Sequence, residues 1–520
     1  MLMTAQLLLQ YQRCRRRPFL DYHGNQSLKD APSELLLKLQ QDKLAHQKTV
    51  LEGQIYQHPN YPKGDWEAGA KATWELMQQG VDRIHKGVLL APYSEEYTLL
   101  SSPDLLIKQP GQSCFGNWMY VPAQIELGKR PKLEYQIVAA FHAQVLAQVQ
   151  QAIPNTAWLL LRRKEAYSVD LAKYMPQMQQ TLEACIQSLA SSQAPEVFIS
   201  RQRCSLCRWF SHCYSQAKSQ RHLSLLPGVT PNRYKELQAL NLVTVESLAQ
   251  TNPAQLETLQ GFDNDTARQL VLQAQSVVEN RPISIARVQK SREDNYPLPI
   301  THYQLPITND QSKIQNPKSK IPTLATPIEI FFDIEAQPEL NLDYMLGVLV
   351  VDRLAQTETF YPLLAEKPED EVLIWQQFLE LVWQYPQAPI FHFFSYEVDT
   401  VKRLARLYQT HKQLILPVLE RFVDVYDRIT QTVALPVESY ALKAIARWIG
   451  FEWRDPQANG SQCIYWYDKW LETGDRTFLD AIQRYNEDDC RATRHVKDWL
   501  ENFISLQIVD ECNTTYLGSR

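Results

Sequence analysis

No run of about 18 or more apolar residues occurs in the 520-residue chain, which excludes an ordinary membrane-spanning helix. A secretion signal is also lacking. The apolar stretch Leu7–Leu9 is short and runs straight into Arg13, Arg15, Arg16 and Arg17. Nine cysteines without such a signal imply a reducing, cytoplasmic setting, in which thiols serve metals or chemistry and not disulfides. The composition is not extreme: 44% apolar and 21% charged residues fit soluble globular domains. One hydrophobic core does not extend over this length, so roughly two to four domains are expected.

The net charge of −5 conceals an uneven distribution. Residues 1–225 carry 25 basic against 18 acidic side chains, and residues 324–520 carry 18 against 31. A basic half joined to an acidic half fits a polyanion binder attached to a carboxylate-rich metal site. The clearest boundary is residues 281–323, where Asn295–Thr301 and His302–Thr308 repeat one another, as do Ser312–Lys318 and the segment starting at Ser319. Prolines this dense forbid helix and central strand, so a flexible linker is expected. The remaining divisions are a basic mixed domain at 1–222, an all-helical connector at 223–280, an α/β domain at 324–504 and a tail at 505–520.

The acidic domain carries the sharpest pattern. Glu329–Glu335 reads as an apolar strand bearing Asp333 and Glu335 at its end, and residues two apart share a strand face. Two carboxylates so placed repel unless cations lie between them, which is the arrangement two-metal phosphoryl chemistry requires. Strands at Tyr344–Val351 and Thr359–Leu364 follow, making an antiparallel meander. Next comes a helix from about Glu369 to Trp383 with Val372, Trp375, Phe378, Leu379 and Val382 on one face. The buried strand Pro389–Phe394 then ends at an elbow carrying Glu397 and Asp399, of which Glu397 is preferred. On a last helix, from about Arg476 to Asn502, Tyr485 and Asp489 share a face at i and i+4. Tyr485 there would orient or deprotonate an attacking water, and Asp489 would complete a shell of oxygen ligands. Asp488, rotated by about 100°, is expected at the surface.

This order of acids resembles the DnaQ-like, RNase H-fold DEDD exonucleases with a tyrosine in their third motif. Phe422–Tyr426 and Ser439–Phe451 are also similar to that family. The resemblance implies a mixed-sheet α/β domain with Asp333, Glu335, Glu397 and Asp489 holding Mg2+ or Mn2+, and 3′–5′ exonuclease activity.

In the basic half, Cys204, Cys207 and Cys213 stand at C-x2-C-x5-C spacing. Three thiolates need a fourth ligand for zinc or an iron–sulfur cluster. Cys14 is the candidate, with Cys185 and His212 as alternatives. One early and three late cysteines resemble the iron staple of RecB-like nucleases, a restriction-endonuclease-type α/β fold. That resemblance implies a 4Fe–4S cluster and a metal site in which Asp104 fits the first motif and Gln136 the last. The middle motif reads Gln124-Ile-Glu126, which lacks both the usual anion and the usual lysine. Glu126 and Lys129 would serve only with a shifted register, so this site is expected to be degenerate. His46 is a candidate upstream histidine. In the connector, Leu226-Pro-Gly228 and Leu259–Phe262 resemble paired helix–hairpin–helix modules, which implies that Gly228 and Gly261 approach DNA phosphates. The usual Gly-x-Gly is absent from both. The three parts together resemble bacterial RecB-like nucleases, with single-stranded ends or branched DNA, more than RNA, as the expected partner. The alternatives are a non-catalytic nucleic-acid scaffold and an endonuclease acting through the RecB-like domain.

Overall fold

The computed structural model describes residues 1–162, 165–285 and 327–517, and the proline-rich repeats lie outside them. The chain divides into two units, residues 1–220 and 221–520. Both are mixed α/β.

In the first unit a five-stranded sheet has the order Arg83–His85, Leu105–Ser113, Gly116–Glu126, Ala157–Leu161, Tyr167–Val169. Gly116–Glu126 and Ala157–Leu161 run parallel, so the chain must cross over between them. It does so through the helix Leu133–Gln150, in which every residue from Tyr135 to Ala143 is buried. A helix covered all round in this way lies inside the fold and not on its surface. A second sheet joins Leu2–Thr4, Thr98–Ser101 and Leu89–Pro92.

The second unit opens with the helices Pro231–Ala239, Val245–Ala249, Pro253–Leu256 and Asn264–Glu279. The connector does not stop at residue 280. Strand Ile283–Ser284 pairs antiparallel with Val433–Ala434. Gln273, buried in the helix before it, donates to the Leu435 carbonyl and accepts from the Tyr440 hydroxyl at 2.7 Å. Ser276 donates to Ala434 O at 3.0 Å. The residues before the proline-rich segment are thus bonded to the domain that follows it.

That domain is built on a sheet of order Thr357–Leu364, Leu342–Asp352, Ile328–Gln337, Ile390–His392, Phe422–Asp424. The first three strands are antiparallel, and the last two add in parallel. Ile328–Gln337 is central and buried on both faces. Ile330, Phe332 and Ile334 join one core with Ile374, Trp375, Phe378 and Leu381 of the helix Glu371–Gln384. Val372 and Leu373 of that helix are exposed, so its buried stripe is rotated by about one residue from the expected face. On the other face Phe331 packs with Leu349, Val351, Cys490 and Val496. The last helix runs Thr477–Leu517, so residues 505–517 continue it and form no separate tail. Arg353 and Lys497 bind it to the sheet: both contact Glu329, Lys497 at 2.6 Å, and Arg353 also reaches Asp498 at 2.6 Å.

Gln273→Leu keeps the packing volume but removes the side-chain donor to the buried Leu435 carbonyl, which then keeps Val437 N, and the acceptor of the Tyr440 hydroxyl. It should lower the unfolding free energy by about 1–3 kcal/mol. Urea denaturation of the full chain measures this, and an unchanged midpoint would remove the proposed bond between connector and sheet.

Candidate metal centre

Asp333 and Glu335 project from the central strand toward the last helix, on the face that carries Phe331 two residues earlier. The strand's register shifts between Glu335 and Ala336. A bulge there ends the regular alternation beside the site and re-aims the strand's last residues. From the helix, Asp489 completes a group in which one oxygen of each carboxylate lies within 4.8 Å of the others.

Three carboxylates this close in a recess resist ionisation. Asp333 is pushed well above the usual carboxylate range by burial first, then by the charges of Asp489, Glu335 and Glu397. Burial, Asp489 and Glu397 raise Glu335, against a hydrogen bond from the Cys463 thiol. Asp489 is pushed up to about 7, again by burial first. Its rise is limited by hydrogen bonds from Trp453 and Tyr485 and by the charge of Lys443. Trp453 Nε1 donates to Asp489 Oδ1 at 2.7 Å. Lys443 lies over the Trp453 and Tyr485 rings, 5.3 and 5.7 Å from their centroids.

The expected elbow acid also turns inward. The helix Tyr396–Leu407 starts shortly after the strand, and Glu397 in its first turn is buried while Asp399 is less so. Glu397 Oε2 is 3.5 Å from His392 Nδ1 and has no hydrogen-bond partner. It is near enough to Asp333 to raise that group, but it lies outside the cluster of three. The elbow is held by Asp424, whose Oδ1 accepts from Phe394 N at 3.0 Å and from Tyr426 N at 2.8 Å. Phe394 has φ +80°, a conformation that costs a side chain of this size of the order of 1–3 kcal/mol and persists only where neighbours fix it.

One expectation for the last helix is corrected. Asp488 is not at the surface: it is buried and accepts from Arg454 Nε at 2.8 Å and Arg454 N at 2.9 Å. Burial first, then the charges of Asp489, Glu335 and Asp333, raise Tyr485, which donates to Asp489. Sequence reasoning also missed Trp453, Lys443, Cys463, His392 and Asn486. Asn486 lies between Tyr485 and Asp489, His392 in the elbow strand and Lys443 within Ser439–Phe451, whereas Trp453 and Cys463 left no local sign.

In the first unit Asp104 and Glu126 are both buried and close enough to interact. Their surroundings differ from those of the other acids. Asp104 is paired with Lys86 and accepts from Gln47 Nε2 at 2.9 Å and Ile125 N at 2.7 Å. Glu126 is 3.2 Å from Lys43 Nζ. Lysines from distant segments occupy both carboxylates, and the acceptors left to a cation are few. Lys129 is not among the groups that pair with them. Gln136 donates to the Pro131 carbonyl at 2.8 Å, and Gln124 leaves a buried oxygen without a partner. His46 is lowered by burial and by Arg162.

Cys14 lies within electrostatic range of Cys204, Cys207 and Cys213, and Cys207 within range of Cys204 and Cys213. Cys185 is buried elsewhere, against Tyr11. No three of the four sulfurs come within 4.8 Å of each other among the described residues. Thiolates sharing one zinc at ~2.3 Å would be about 3.8 Å apart. Gly228 and Gly261 have φ +86° and +84°, which an L side chain would strain. Arg233 donates to both their carbonyls, at 2.9 and 3.0 Å.

The family profile of the RNase H superfamily matches residues 330–501. No curated protein matches the chain. The matched span contains all four C-terminal acids, and the C-terminal domain is RNase H-like.

The buried acids bind protons more tightly folded than unfolded. Their contribution to stability is therefore complete below about pH 4 and is lost as pH rises through about 7, where Asp489 titrates. In chelator the unfolding temperature should fall across that interval. Asp333→Asn should flatten the fall and, at pH 7.5, stabilise the metal-free protein by roughly 1–3 kcal/mol. Calorimetry at several pH values tests this.

Proposed function

We propose that the C-terminal domain is a metal-dependent nuclease that removes nucleotides from the 3′ ends of single-stranded nucleic acid, DNA in the first instance. The observation that carries the reading is the convergence of Asp333, Glu335 and Asp489 within 4.8 Å in an RNase H-like domain. The donors are all carboxylate oxygens, which suit hard cations such as Mg2+ or Mn2+. Two such cations bound there would activate a water and stabilise the leaving oxygen of the phosphodiester. Glu397 is the proposed fourth ligand, because it is buried toward the site with one oxygen unpartnered. Tyr485, protonated, would orient the water by hydrogen bonding.

The same reading makes the N-terminal unit a RecB-like relic that binds nucleic acid without cutting it. Lys86 and Lys43 already neutralise Asp104 and Glu126, which speaks against an endonuclease there. Gly228 and Gly261 are proposed contacts to DNA phosphates. The four thiols are proposed to hold a 4Fe–4S cluster, on the resemblance of their order to the iron staple and on the nearness of Cys14 to the other three.

With Mg2+ or Mn2+ and end-labelled single strands, the full chain should shorten DNA from the 3′ end. Asp333→Ala and Asp489→Ala should each lose at least about 100-fold in rate. Equal degradation by wild type and Asp333→Ala would remove the proposal, and cleavage lost only in Asp104→Ala would transfer it to the first unit. Anaerobically purified protein should absorb visible light through its cluster, and Cys14→Ser should bleach it. A colourless protein containing zinc would overturn the cluster assignment.

A further inference from the structure

Asn486 is fully buried, yet its side chain satisfies only half of its hydrogen-bonding capacity. Nδ2 donates to Asp333 Oδ2 at 2.7 Å, while Oδ1 has no partner. A buried acceptor left unpaired is destabilising, because it gives up its hydrogen bonds to water and gains none. An apolar residue of the same size would avoid that cost, so stability alone does not account for an amide here.

The opposing strand is built around it. Gly347 is the residue paired with Asp333 across the sheet. A Cβ at position 347 would stand 1.6 Å from Asn486 Oδ1 and 2.7 Å from its Cγ, where no shift of a flexible tip relieves the overlap. Gly347 is in extended strand, so its backbone angles do not call for glycine. What requires it is the space that the amide occupies. One turn along the helix, Cys490 Sγ lies 3.5 Å from the Gly347 carbonyl and is buried, which presses the helix onto the strand at this level.

We infer that Asn486, admitted by Gly347, is the positioning residue of the metal centre. Its amide commits one Asp333 oxygen and fixes the plane of that carboxylate before any cation arrives. Ligating carboxylates held by such outer partners bind metal more tightly, because less reorientation is needed on binding. Asn486 touches neither cation nor substrate in this role. It acts through Asp333, and its placement one residue after Tyr485 lets the same helical turn carry ligand, donor and positioning group. The inference rests on the metal-site reading above.

The test is calorimetric titration of the full chain with Mn2+ alone, with Asp333→Ala as the blank. Asn486→Leu removes the donor and the unpaired oxygen together. It should bind Mn2+ about 10–100-fold more weakly than wild type, while its unfolding temperature in chelator stays the same or rises. Gly347→Ala, which alters neither Asp333 nor Asn486, should weaken Mn2+ in the same direction. A residue with a merely structural role would give the reverse, an unfolding temperature that falls and an affinity that does not. Asn486→Leu binding Mn2+ as tightly as wild type would overturn the inference while leaving the metal centre standing. A wild type that binds no Mn2+ beyond the blank would overturn the metal centre itself.

Discussion

The arrangement of the C-terminal domain turns on one unfavourable interaction, the mutual repulsion of carboxylates brought within 4.8 Å inside a recess. Two come from alternate positions of a strand that is buried on both faces, and the third from a helix laid across it. Neither element can retreat without opening the core. The helix is fixed at its middle by Arg353 and Lys497 on Glu329, and just before that by Cys490 and Val496 against Phe331. Packing therefore holds in place a charge constellation that would otherwise disperse, and the proposed cation site is pre-organised at the expense of metal-free stability.

The groups around the acids moderate this repulsion without ending it. Trp453 and Tyr485 donate to Asp489, Cys463 to Glu335 and Asn486 to Asp333, and His392 lies beside Glu397. None of these is a permanently charged partner. Lys443 is the charged neighbour, and burial lowers its own affinity for a proton. Neutral donors orient carboxylates and leave their negative potential largely in place, whereas an ion pair would cancel it.

How far this was legible from sequence depended on distance along the chain. Asp333 with Glu335, and Tyr485 with Asp489, could be found because each pair sits at the period of its own element. The inward turn of Glu397 was legible because a buried strand running into a helix puts its first turn beside the neighbouring strand. Asp488 was misjudged for the converse reason. Rotation around the helix predicted exposure, but Arg454, 34 residues earlier, covers it. Trp453 and Cys463 reach the site through tertiary packing, for which no local period exists. Gly347 read as an ordinary strand position, since only the Asn486 amide across the sheet gives it meaning. In the first unit the acids Asp104 and Glu126 were found from motif spacing, but the cations were sought at Lys129, next in sequence. Lys86 and Lys43 come from other elements.

The two clusters of buried acids thus solve one electrostatic problem in opposite ways. In the first unit two carboxylates face two lysines, and the ledger of charge is closed within the protein: Asp104 also takes up a backbone amide and Gln47, so its acceptors are occupied. In the second, none of Asp333, Glu335, Asp489 and Glu397 is ion-paired with a lysine or arginine among the described residues, Lys443 lies near Asp489, and Glu397 retains an oxygen with no partner. A closed cluster gains nothing from a divalent cation, because binding would first have to displace an ammonium from a carboxylate. An open one gains the whole attraction, together with relief of the repulsion between its members. The difference does not lie in the number of acids, which motif reading counts well, but in which lysines the fold brings to them. That is why the span matched by the RNase H superfamily, and not the basic half with its nuclease-like spacing, holds the site to which chemistry is assigned.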